Sequence, residues 1–136
     1  MVKIESIYEG ELRCSSTHLP SGSGLITDAP VDNHGKGSAF SPTDLLATSL
    51  LTCVMTTMAI VAERNEIHLK GMRGSVFKHM TTTAPRRIAK LEVELHMPKS
   101  LNEDDRTRME ATAKGCPVHR SLHPDVEEVW VFVYDV

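Results

Sequence analysis

Three cysteines and two closely spaced histidines are the side chains on which redox or metal chemistry could rest: Cys14, Cys53, Cys116, His119 and His123. Cys53 has Ser49, Thr56 and Thr57 around it at helical spacing, with Leu46, Leu50 and Ile60 beside them. That setting suits either a cysteine used as a small buried hydrophobe or a thiol in an apolar pocket. Cys116 precedes Pro117, a residue that fits the first position of a helix, so its sulfur should stand at a helix start. Unpaired amides and the positive dipole end there favour thiolate. The run Cys116-Pro117-Val118-His119 with His123 also places a thiol and two imidazoles where a short helix could gather them, a set zinc accepts; Cys14 or His18 could complete it. Asp44 is a candidate catalytic carboxylate, although its place in a helix capping box already explains it. Arg13 and the Arg86-Arg87 pair could bind an anion or lower a thiol pKa. The sequence contains no Gly-rich phosphate loop, nucleophile elbow or Ser-His-Asp signature.

A chain of 136 residues has room for one domain, expected over 1–136. With 18 acidic and 15 basic residues mixed along its length, it lacks the basic stripe that phosphate neutralisation needs, which argues against nucleic acid as a partner. The longest apolar stretch, near Leu45 to Ala62, is broken by threonines and a serine and reads as a core helix rather than a membrane span. Met1-Val2-Lys3-Ile4-Glu5 places no apolar run behind a basic segment, so the expectation is a soluble cytoplasmic protein. An odd number of scattered cysteines argues against a disulfide scaffold.

The positioning elements can be read in order. Residues 2–18 predict two strands joined near Gly10, and Gly24-Leu25-Ile26 a short third strand before a long loop. Ser41-Pro42-Thr43-Asp44 is a capped helix start, and the helix to about Arg64 is apolar on most of its circumference and so should be enclosed. Met72 to Met80 and Ile88 to Met97 predict paired strands, the second with one core face and one wet face. Ser100-Leu101-Asn102-Glu103 repeats the capping pattern ahead of a helix ended by Gly115, and a short helix follows Pro117. The last strand, Val129 to Tyr134, is apolar on both faces and should be covered on both sides or lie in a subunit interface. The class is α+β, with a mainly antiparallel sheet packed on a long central helix.

Ser41-Pro42-Thr43-Asp44-Leu45-Leu46 leading to Cys53, with Cys116-Pro117-Val118-His119-Arg120-Ser121-Leu122 near the end, resembles the OsmC/Ohr family of thiol peroxidases. The likeness covers nearly the whole chain, and the two-cysteine arrangement is its specific part. It implies an intertwined homodimer with active sites at the subunit interface. It further implies that Cys53 attacks an organic hydroperoxide and becomes a sulfenic acid, which Cys116 resolves as a disulfide. Electrons would come from a small thiol or a dihydrolipoyl protein, and no metal or organic cofactor is implied. The family's glutamate ahead of the helix cysteine corresponds to Thr43, with Asp44 next to it. The family arginine of the amino-terminal strands falls near His18, or on Arg13 with a gap; these are the candidates for stabilising thiolate and peroxide. Two further readings stand beside this one: an OsmC-like protein that binds a small ligand without turnover, and a metal-binding protein using Cys116, His119 and His123.

Overall fold

The computed structural model describes all 136 residues and divides them into two compact units, Met1–Leu46 and Ala47–Val136. The first unit is an antiparallel meander of β1 (Ile4–Gly10), β2 (Arg13–His18) and β3 (Ser23–Asp28), in the order β1-β2-β3. The two-residue loop between β1 and β2, Glu11 and Leu12, has both residues at positive φ (51° and 63°), the combination whose twist matches that of antiparallel strands. After β3 the chain makes one 3-10 turn at Val31–Asn33 and loops to Ser41.

The long helix α1 (Pro42–Arg64) starts on a reciprocal cap. The Asp44 amide donates to Ser41 Oγ at 3.1 Å, and the Ser41 amide donates to Asp44 Oδ2 at 2.8 Å, so Asp44 acts as the cap carboxylate. Its other end is a Schellman closure: Glu66 takes a positive φ of 55°, and the Ile67 amide donates to the Ala62 carbonyl at 2.9 Å. Asn65 Nδ2 satisfies the Val61 carbonyl as well.

In the second unit, β4 (Arg73–Met80), β5 (Ile88–Met97) and β6 (Glu127–Tyr134) form a sheet in that order. The β4–β5 pair is antiparallel and β5–β6 is parallel. The crossover that a parallel pair demands carries α2 (Glu103–Ala113) and α3 (Pro117–Ser121). Leu91, Val93, Leu95 and Met97 point from β5 into the core while Lys90, Glu92, Glu94 and His96 occupy the other face. Against them pack Leu50, Val54 and Met58 of α1 and Met109 of α2, all fully buried, each stabilising the fold by about 1.5–3 kcal/mol. Gly74 of β4 lets helix and sheet approach: a Cβ there would lie 2.8 Å from Leu51 Cδ1 and 2.9 Å from Leu95 Cδ2.

Several expectations change. There are two three-stranded sheets rather than one, and the second contains a parallel pair. The α2 cap is Asn102, whose side chain accepts from the Asp105 amide at 2.8 Å, because the chain turns helical two residues later than a Ser100 cap would require. Helix α1 is long and apolar enough to cross a bilayer, yet it places one stripe, Ala47, Leu50, Val54, Met58 and Ala62, in the core. Leu46 and Ile60 on its other side are exposed, so within one chain the helix is not enclosed. The same holds for β6, where Val131 on the outer face is 41% exposed.

Candidate active site

Cys53 lies in the middle of α1, one position from the buried stripe, which leaves it half-buried against the core. Cys116 is the N-cap of α3, as Pro117 at the first helical position dictates, and is fully buried. The His119 amide donates to Cys116 Sγ at 3.3 Å. The Cys53 thiol lies close enough to Cys116 to raise its pKa, and no disulfide joins any of the three cysteines. Helix α1 and the start of α3 therefore bring together, across more than sixty residues of sequence, the two groups that could exchange a disulfide.

The expectation that the helix start favours the Cys116 thiolate does not hold for the resting state. Burial pushes this thiol above its ordinary pKa, and the Cys53 thiol beside it adds to the rise. The amides of His119 and Val118 pull the other way without prevailing. A five-residue helix has little dipole with which to oppose desolvation.

Arg13 and His18 take different places. They have opposite parity on β2 and so lie on opposite faces, Arg13 paired with Asp28 and His18 with Ile4 and Ser23. Arg13 makes a bidentate pair with Asp28, Nε to Oδ1 at 2.7 Å and Nη2 to Oδ2 at 2.9 Å. Asp28 also accepts from the Ser38 amide and hydroxyl, at 3.1 and 2.9 Å, which fastens the loop after β3 to the sheet. The guanidinium and these donors hold its carboxyl well below the usual carboxylate range. Arg13 is thus an organised cation whose Nε and Nη2 are already committed. His18 is a half-buried residue bonded to Ser21 Oγ at 2.6 Å. Asp44 is the α1 cap, and Thr43 lies beside it with its hydroxyl 3.1 Å from Ser41 Oγ.

The histidines after Cys116 turn to different carboxylates. His119 Nδ1 bonds Glu128 Oε2 at 2.5 Å, whereas His123 faces Asp125 on the surface. No group of three or more His, Cys, Asp and Glu side chains is placed to hold a metal. Sequence reasoning missed Asp28 and Glu128. The signal for Glu128 was its phase, since it shares a face with Trp130, Phe132 and Tyr134, and a charge on an inward face needs a reason.

The arrangement of capped helix, mid-helix thiol and buried second thiol can be compared with known proteins. Residues 35–129 match the family described as OsmC-like protein. The chain belongs to the OsmC-like family. A solved structure from Psychrobacter arcticus 273-4, of a candidate osmotic stress induced and detoxification response protein, is 42% identical, with 97% of this chain and 96% of that one covered and a TM-score of 0.91. The same OsmC-like fold recurs in an organic hydroperoxide resistance protein OsmC from Legionella pneumophila, at 18% identity and TM-score 0.77, covering 98% of this chain and 96% of that one. It recurs again in an organic hydroperoxide resistance protein from Elizabethkingia anophelis, at 11% identity and TM-score 0.80, with 99% and 96% covered. No curated protein matches the chain.

Proposed function

We propose that this OsmC-like protein is a thiol-dependent peroxidase that reduces organic hydroperoxides in defence against oxidative stress. The Cys53 thiolate attacks the peroxide O–O bond, forming a Cys53 sulfenic acid and releasing the alcohol. Cys116 then displaces hydroxide from that sulfur, giving a Cys53–Cys116 disulfide and water. A small thiol or a dihydrolipoyl protein returns two electrons and regenerates both thiols. The observation that carries this reading is the juxtaposition of the two reduced thiols, one half-buried in an apolar helix and the other at a helix cap. The names of the hydroperoxide resistance relatives support the substrate class.

The reading extends to a homodimer, in which a second copy would cover the exposed side of α1, and to the cytoplasm, where a reductant keeps the thiols reduced. Turnover of cumene hydroperoxide with dithiothreitol, followed by loss of peroxide, tests the proposal. Cys53→Ser abolishes turnover, and Cys116→Ser stops after one equivalent with a dimedone-reactive sulfenic acid on Cys53. Multiple turnover in Cys53→Ser contradicts the assignment.

A further inference from the structure

The two-thiol scheme gives His119 no role, yet its imidazole is held on two sides. Nδ1 bonds Glu128 Oε2, and the ring meets Trp130 edge-on, with centroids 6.2 Å apart and planes at 69°. Both partners come from the same face of β6. The amide of the same histidine donates to Cys116 Sγ at 3.3 Å. One residue therefore ties the sulfur of the second thiol to the strand. The Glu128 side chain is only 12% exposed, and its Oε1 is buried with no hydrogen-bond partner. Burying a carboxylate with one oxygen unsatisfied opposes folding, so stability does not account for a glutamate on this face.

Resting on the peroxidase reading, we propose that Glu128 and His119 are a positioning pair for the resolving step. Glu128 clamps the imidazole, the clamp fixes the first turn of α3, and the His119 amide stays on Cys116 Sγ while it attacks the Cys53 sulfenic acid. In that step the Cys116 S–H and Cys53 S–O bonds break and the S–S bond forms. The proton leaves with the hydroxide as water, and no outside electrons are needed. A fixed N–H directed at the sulfur stabilises the negative charge that develops as the proton departs, and it does so at a position that burial otherwise makes hostile to charge.

The test separates the two chemical steps by stopped reactions with cumene hydroperoxide: dimedone trapping reads Cys53 oxidation, and non-reducing mass spectrometry reads disulfide closure. In Glu128→Leu, closure slows about tenfold, the scale of one lost hydrogen bond to a developing charge, while Cys53 oxidation keeps its rate and sulfenic acid accumulates. His119→Ala behaves alike, and the double variant is no slower than either single one. Glu128→Gln, which still offers an acceptor to Nδ1, recovers most of the rate. The urea midpoint of Glu128→Gln stays at that of the parent protein, since the amide removes the buried charge and still accepts from Nδ1. Unchanged closure in Glu128→Leu and His119→Ala overturns the proposal, as does a stability loss in Glu128→Leu without slower closure. The same variants oxidised with diamide distinguish the two claims. A parent protein that ignores peroxide but closes with diamide about tenfold faster than Glu128→Leu overturns the peroxidase reading and keeps the pair.

Discussion

At the residue scale, the interactions that organise charge join positions far apart in sequence. Arg13 and Asp28 illustrate this: each was an ordinary surface-type residue in the sequence, and only the β2–β3 register sets them opposite each other. Cys53 and Cys116 were legible because helix context and a following proline mark them locally; Asp28 and Glu128 were not, because their partners come from other elements. The Asp28 pair has a pH signature. Its folded pKa is depressed, so its stabilising contribution is full above the unfolded value near 4 and is lost as pH falls through the folded value. Asp28→Asn should therefore lower the urea midpoint equally at pH 7 and pH 5, with the gap closing only below about pH 4. A gap that has already closed at pH 5 contradicts the pair's role.

At the scale of elements, caps and alternation carried most of the information. The Ser41–Asp44 box, the Cys116-Pro117 start and the alternating face of β5 are each written in a few adjacent residues, and each is realised. The parallel pairing of β6 was not legible, since nothing within Val129–Tyr134 specifies which neighbour or direction it takes. Packing between α1 and the sheet depends on the missing side chain at Gly74. Gly74→Ala should cost about 1–3 kcal/mol in urea unfolding, because the new methyl presses on Leu51, Leu95 and the Glu94 carbonyl. A neutral result would mean that helix and sheet can separate there without penalty. The end of the sheet is tied by His96, with Nδ1 2.8 Å from both Asp135 oxygens and Nε2 2.7 Å from Glu94 Oε1, and with Arg73 nearby. The carboxylates raise its pKa. A raised folded pKa contributes stability below the unfolded value, near 6.5, that fades as pH rises through the folded value. The midpoint difference between the parent and His96→Gln should thus be largest below the unfolded value near 6.5 and shrink as pH rises above it; a difference that grows with pH contradicts this linkage.

At the scale of the whole molecule, the first unit exposes more apolar surface than an isolated chain tolerates well. Ile4, Ile7 and Tyr8 of β1 are 64%, 65% and 64% exposed, and Leu25 and Ile26 of β3 are also open. In the proposed homodimer, a second copy of the chain covers apolar surface of this kind. Light scattering at micromolar concentration should give the mass of two 15.0 kDa chains, and Ile7→Lys should shift the protein toward monomer or aggregate. A stable, fully soluble monomer would contradict it. The sequence suggested enclosure of α1 and β6 from their apolar residues, whereas the single chain leaves both half-open, because an apolar pattern records a preference for burial and not what covers it. Reduced protein is treated anaerobically with one equivalent of cumene hydroperoxide, and its intact mass and peptides are followed by mass spectrometry. A Cys53–Cys116 disulfide should form within seconds, with Cys14 still reduced. Thiols that stay reduced for many minutes would contradict it.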